Sequence, residues 1–291
     1  MSQKFTITSN NIKKIINEEI QKYIIESRWA GMSINDALSF FDQYQSNTWI
    51  FFDTETLGFN PRVNQLTEIA AIAANPDGWS GNARVIGQFN EKIKLNEESV
   101  ERIQRHKDMS PEERAGRGRN MTAPDVLSMT RYGESGREYL DEQDAIDQFH
   151  EFVDSFPNPV IVAQNASFDM EFISVRSSTQ MKKYPVIDTM RVMQLFLIPL
   201  LRTLSTEPHN DVESAEFLEK LKRGRRYSSS MGVVSSAYGI SIEGWHNALA
   251  DVTMLMSLFQ HVVDTLRKSS DVDIGPEHGR AVSFARRRFK R

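Results

Sequence analysis

Trp49-Ile50-Phe51-Phe52-Asp53-Thr54-Glu55-Thr56-Leu57-Gly58 runs from an apolar segment into two carboxylates one residue apart and then turns at a glycine. Period-two alternation along a strand sends side chains i and i+2 to the same face, so Asp53 and Glu55 stand side by side at a strand end. Paired carboxylates repel each other unless a hard divalent cation such as Mg²⁺ neutralises them. The pattern therefore predicts a metal ledge, although a solvated strand end has the same spelling.

Two later segments share this character. Pro159-Val160-Ile161-Val162-Ala163-Gln164-Asn165-Ala166-Ser167-Phe168-Asp169 reads as a buried strand, a polar turn and a helix whose first turns carry one acid. Trp245-His246-Asn247-Ala248-Leu249-Ala250-Asp251 opens a long amphipathic helix with a histidine five residues before an aspartate. Both can face one side within the first turns, although five fits the 3.6-residue period less tightly than three or four.

Together the three segments resemble the exonuclease motifs of the DEDDh 3′→5′ exonucleases, the DnaQ-like group that includes proofreading epsilon subunits, RNase T and oligoribonucleases. The resemblance covers roughly residues 48 to 265 and rests on three motifs in the right order at plausible spacing. Where the family often has His-Asn, this chain has Gln164-Asn165, a departure at a supporting position that leaves the acid intact. The resemblance implies an α/β, ribonuclease-H-like mixed sheet, an antiparallel meander plus parallel strands flanked by helices. It also implies nucleic acid with a free 3′ end as the partner.

Four acids, Asp53, Glu55, Asp169 and Asp251, form a ligand set suited to two Mg²⁺ ions, with Mn²⁺ as a substitute. Two such cations roughly 3.5–4 Å apart can activate water, neutralise the scissile phosphate and stabilise the departing oxygen. By resemblance, the residue at Asp53 bridges both ions. His246 is the candidate general base, since an imidazole with an ordinary pKa of about 6.5 accepts a proton near neutral pH. By the same resemblance Leu57 wedges against a terminal base and Thr56 meets its sugar or phosphate. Asn165 either hydrogen-bonds substrate or caps the following helix. Phe168 and Phe172 are expected in the core. Asp188 reads as a helix cap or a support for the ligands.

The remaining sequence bounds these readings. At 291 residues, one exonuclease domain over 48–268 leaves an N-terminal helical extension at 1–47 and a basic tail at 269–291. The extension has helical spacing from Ile12 to Ile24, then Ala37, Leu38 and Phe41 after a cap at Ser33. It reads as an added layer on the core or as a docking surface for a protein partner. Strands are expected at Trp49–Asp53, Thr67–Ala74 and Ala83–Lys94, with a turn at Asn75-Pro76-Asp77-Gly78. Helices follow around Glu97–His106 and Leu140–Phe156, then a strand at Val160–Ala163, a helix from Ser167, a strand near Val186 and another helix.

Insertions are expected near 114–137 and 203–230, the second an irregular loop holding Lys222-Arg223-Gly224-Arg225-Arg226-Tyr227. That cluster could guide single-stranded substrate, with Tyr227 offered for base stacking. A formal charge of −4 gives no global attraction to nucleic acid, so basic surface must be local. The absence of cysteine excludes disulfides, thiolate zinc sites and cysteine nucleophiles. No P-loop run and no secretory leader is visible, and Val192–Leu201 is too short for a membrane span. A cytoplasmic location without membrane contact is expected.

DNA is favoured over RNA by the context of the first and third motifs. The alternatives are an exoribonuclease of the RNase T or oligoribonuclease kind and a catalytically silent docking protein. Retention of all four acids and the histidine argues against the latter.

Overall fold

The computed structural model describes residues 32–75, 83–110, 139–177, 181–244 and 246–275. The expected helix at 12–24, the turn at 76–78, the insertion at 114–137 and the basic end at 286–291 lie outside the described residues. Helix α1 (Ile34–Asp42) precedes strands β1 (Trp49–Thr56), β2 (Leu66–Asn75) and β3 (Arg84–Lys92) and helices α2 (Glu97–Lys107) and α3 (Glu142–Asp154). Next come β4 (Val160–Ala163), α4 (Ala166–Ser174), β5 (Val186–Asp188) and α5 (Thr189–Val192). A π-helical turn (Met193–Leu197) leads into α6 (Ile198–Leu204). The chain continues with α7 (Val212–Leu221), β6 (Lys222–Arg223), β7 (Arg226–Tyr227), α8 (Met231–Ala237) and α9 (Ala248–Lys268).

Strands β3, β2, β1, β4 and β5 form one mixed sheet in that order, antiparallel across β3-β2-β1 and parallel across β1-β4-β5. This is the mixed sheet expected from the sequence. Short connections suit the antiparallel meander, whereas the parallel strands need crossovers through α3 and α4.

Alternation divides the core in two. Trp49 and Phe51 of β1 join Ala70 and Ile72 of β2 beneath α9 and α1, while Ile50 and Phe52 pack with Ile69 and Ala71 beneath α3 and α4. Phe259 of α9 meets Trp49 at 5.5 Å and Phe41 of α1 at 5.5 Å between ring centroids, fixing α9 across the strand that carries the first acids. Truncating such a buried ring costs about 3–5 kcal/mol.

The Ser33 cap forms as read, in a capping box with Asp36, and Ile34, Ala37, Leu38 and Phe41 are all buried. The apolar face of α1 is thus packed on this core. The 203–230 segment departs from the expected irregular loop. It folds into the end of α6, helix α7 and the β6–β7 hairpin, because Asp211 caps α7 through Ser214 N–H and Leu218 and Leu221 are buried. The π turn precedes Pro199, whose ring and missing N–H an α-helix interior would not accommodate. No helix among the described residues is long and apolar enough to cross a membrane.

Candidate active site

Strand β1 outruns its parallel neighbour. The β1–β4 pairing covers Trp49 to Phe51, and β4 ends at Ala163, so the edge of β1 beyond that point has no strand beside it. Asp169 of α4 fills the gap, with its Oδ1 accepting from Thr54 N at 3.1 Å and from Thr54 Oγ1 at 2.6 Å. A backbone donor that a longer strand would have used is satisfied by an acid instead.

Asp53 and Glu55 point to the other face, toward α9. A bulge falls immediately after Glu55, where pairing jumps from Glu55↔Glu68 to Thr56↔Leu66, and bends the strand at the acids. Register places Glu68 of β2 directly opposite Glu55, on the same face. Glu68 is 1% exposed and was not among the expected site residues. Its signal in the sequence is a single acid within the apolar run Leu66 to Ala74.

From α9 comes Asp251, 4% exposed. His246 is not on the helix, contrary to the expectation of two residues sharing its first turns. Asn247 is the N-cap, with its side chain accepting from Ala250 N at 3.2 Å, and His246 lies just before it at φ 72°. The backbone folds back there, and His246 N–H donates to Asp251 Oδ2 at 3.2 Å. This fold, rather than helical periodicity, brings the imidazole to the acids. One ligand atom each from Glu55, His246 and Asp251 lies within 4.8 Å of the others. Asn247 Nδ2 also donates to Glu68 Oε1 at 3.3 Å, tying the helix cap to the fifth acid.

The electrostatics follow from this crowding. Burial, then Asp169, Glu55, Asp251 and Glu68, drive the Asp53 carboxyl well above its ordinary range. Glu55 is pushed up to about 8 by burial and by Asp251, Glu68 and Asp169. Asp169 rises to about 7 through burial against the opposing pull of the Thr54 bonds, and Asp251 to about 7 through burial against the His246 N–H. Burial lowers the His246 imidazole below its ordinary value, which favours the neutral form.

The charged neighbours that shift Asp53 and Glu55 are all acids, and the buried Asp251 Oδ1 accepts no hydrogen bond among the described residues. A donor set made of oxygen anions, charge-deficient and partly unsatisfied, fits divalent cations of the Mg²⁺ or Mn²⁺ kind.

The expected substrate residues are placed as follows. Thr56 Oγ1 donates to Gly58 O at 2.8 Å, and Leu57 is 4% exposed with its N–H on Gln65 O at 2.9 Å. Gly58 closes this turn because a Cβ there would sit 2.8 Å from Asn64 Nδ2. Asn165 adopts the left-handed conformation at φ 58° and makes no side-chain cap bond, so its amide is not the cap. Its N–H goes to Asp188 Oδ1 at 3.0 Å, which also accepts from Met190 N and Arg191 N. Asp188 thus caps α5 and braces the second-motif turn, as read. Burial raises its carboxyl to about 6 against the pull of Arg191 and those N–H groups.

Phe172 is buried as expected, but Phe168 is only half-buried and meets Phe59, 71% exposed, edge-on at 6.4 Å. Phe168 packs against the core through Phe172, at 5.0 Å between centroids, and its other side meets Phe59 to form an aromatic step next in sequence to Asp169. The shallow depression lined by Gln45 to Thr48, Ile86 and Pro157 lies at the opposite end of β1 and contains no titratable side chain.

A structure of E. coli exonuclease I bound to single-stranded DNA and zinc superposes with a TM-score of 0.51 over 77% of this chain and 42% of that one, at 19% identity. The exonuclease I of Methylocaldum szegediense gives 0.50 over 77% and 42%, at 17% identity. The chain has the fold of exonuclease I, a mixed sheet flanked by helices. Among curated proteins, the PolC-type DNA polymerase III of Clostridium perfringens matches this chain at 24% identity over 265 residues. That match takes in 90% of the chain and 14% of the polymerase. The Thermotoga petrophila counterpart matches at 23% over 79% of the chain and 13% of its own length. The chain therefore spans about one seventh of the polymerases it matches. No protein-family profile matches it.

Proposed function

We propose that this chain is a metal-dependent 3′→5′ exonuclease that removes nucleotides singly from the 3′ end of single-stranded DNA. The observation that carries this reading is the convergence of Asp53 and Glu55 of β1, Glu68 of β2, Asp169 of α4, Asp251 of α9 and His246 of the turn before α9 near one strand end. Bound Mg²⁺ or Mn²⁺ would neutralise the scissile phosphate and acidify the attacking water. Asp53, Glu55, Asp169 and Asp251 would hold these ions. Water attacks the terminal phosphorus, the bond from phosphorus to the upstream 3′-oxygen breaks, and that oxygen takes up a proton. His246 receives the proton released by the water. The product is a nucleoside 5′-monophosphate.

A fold shared with exonuclease I, one of whose structures is a complex with single-stranded DNA, supports DNA over RNA as substrate. The deciding assay compares end-labelled single-stranded DNA, single-stranded RNA and recessed duplex in Mg²⁺, Mn²⁺ and EDTA. Stepwise shortening of the DNA strand from its 3′ end, abolished by EDTA, is expected. A preference for RNA would transfer the activity to the exoribonuclease reading, and no metal-dependent shortening of any strand would overturn it.

A further inference from the structure

The β6–β7 hairpin concentrates four cations, Lys222, Arg223, Arg225 and Arg226, within five residues of a chain whose formal charge is −4. All four are exposed. Gly224 at φ 62° is the first of two turn residues, the position at which a type II′ turn takes glycine. Two of the cations are held locally. Lys222 Nζ reaches Glu219 Oε1 at 2.6 Å, and an Arg223 guanidinium nitrogen donates to the Lys220 and Lys222 carbonyls at the end of α7. Arg225 and Arg226 engage no carboxylate among the described residues, so the tip carries a net charge of about three after the Glu219 pairing.

The hairpin is also clamped to the active-site rim. Thr189 Oγ1 donates to Gln164 Oε1 at 2.6 Å, which fixes the amide so that Nε2 faces the other way. That Nε2 donates to the Ser229 carbonyl at 2.8 Å, and Gln194 Nε2 donates to the Ser229 hydroxyl at 2.8 Å. Gln164 immediately precedes Asn165, the turn residue that opens the helix bearing Asp169. From Ser229 back to Arg226 is three residues, or about 10 Å of extended chain. The position where the chain departs from the family's usual histidine is thus the one that ties the basic hairpin beside the acids.

Tyr227 is half-buried and packs against the core beneath α9, where it roots the hairpin.

We propose that this hairpin is a docking arm for the phosphate backbone of single-stranded nucleic acid upstream of the 3′ terminus. The partner class rests on the exonuclease reading; the arm's affinity for a polyanion does not. Cations on a short rigid ribbon read phosphates without reading bases, so the contact is sequence-independent and salt-sensitive. The acids repel the same backbone, and the arm supplies attraction close to where that repulsion acts.

The test measures binding in EDTA, where no hydrolysis occurs. The combined variant Lys222→Ser, Arg223→Ser, Arg225→Ser, Arg226→Ser is compared with the parent on an oligothymidylate of about twenty nucleotides and on a trinucleotide. With about three phosphates released from contact, the log–log salt slope should flatten by about 2, so a fourfold rise in salt costs the parent roughly fifteen- to twentyfold more affinity than the variant. Trinucleotide affinity, the thermal melt and kcat at saturation should stay within about twofold, with KM for the long strand raised.

Equal affinities and slopes on the long strand would overturn the proposal. So would an equal loss on the trinucleotide, which would put the cations at the terminal pocket. If neither protein hydrolyses DNA in Mg²⁺ but the binding difference persists, the exonuclease reading fails and the docking arm stands.

Discussion

The acid cluster and the basic hairpin both gather charge of one sign, but they are built in opposite ways. The acids are buried or half-buried and belong to β1, β2, α4 and α9, so the whole fold holds them against their mutual repulsion. The hairpin's cations are exposed, lie within five residues of one another and are held through two glutamine bonds to Ser229. Concentrated buried charge at fixed geometry suits chemistry on one bond. Exposed charge on a tethered ribbon suits retention of a chain that must move. The comparison predicts that substitutions in the first region change kcat, whereas those in the second change affinity and its salt dependence.

The largest effect should come from Asp53→Asn or Asp169→Asn, which should abolish metal-dependent hydrolysis, a loss of more than about 10³-fold in kcat. In EDTA the Asp53→Asn protein should bind single-stranded DNA more tightly than the parent, the reverse of the hairpin variant. Near-normal turnover in either purified protein would break the assignment of the acids.

His246→Ala should lower kcat by roughly 10²–10⁴-fold with a small change in substrate affinity. The pH profile of the parent should lose rate on the acidic side as the imidazole protonates, and the variant should lack that limb. An unchanged rate near neutral pH would mean another group takes the proton.

A third expectation concerns stability in chelator. Carboxyls raised to about 7 and about 8 in the folded state bind protons that the unfolded chain releases near pH 4. The folded state therefore binds more protons across this window, and stability falls as pH rises from about 4 to about 8. A loss of about 2 kcal/mol would lower Tm by roughly 4–8 °C. Mn²⁺ or Mg²⁺ should restore it at the high end, and a melt that is flat across this range would contradict the repulsion described above.

The smallest effect should be at Phe59, whose exposed ring stands edge-on to Phe168 beside the acids. Phe59→Ala should raise KM about fivefold, matching about 1 kcal/mol at the low end of base–aromatic stacking for so exposed a ring, and leave the thermal melt in place. No change in KM would leave Phe59 as an exposed surface ring.

Much of this was legible in the chain. The strand at Val160–Ala163 matches its reading, and β1, β2 and β3 fall within three residues of theirs, because alternating and continuous apolar runs are local signals. Glu55, His246 and Asp251 bring ligand atoms within 4.8 Å of one another, and Asp169 lies near enough to raise the Asp53 and Glu55 carboxyls. What the sequence hid was long-range. Glu68 becomes a site residue only through its register opposite Glu55, and spacing alone does not display register. His246 reaches the acids by a positive φ, which a helical wheel cannot represent. Within residues 203–230 the two hairpin strands contain two residues each, below the length at which periodicity speaks.

The short reach of β4 has one further consequence. Since the Thr54 amide proton is held by the Asp169 carboxylate instead of by a strand, its exchange with solvent is a gauge of where that carboxylate is. A cation that draws Asp169 toward itself loosens the grip, and one that fixes it in place tightens the grip. A single backbone proton, followed by hydrogen–deuterium exchange, would therefore act as a built-in indicator of the site's loading, readable without any nucleic acid present.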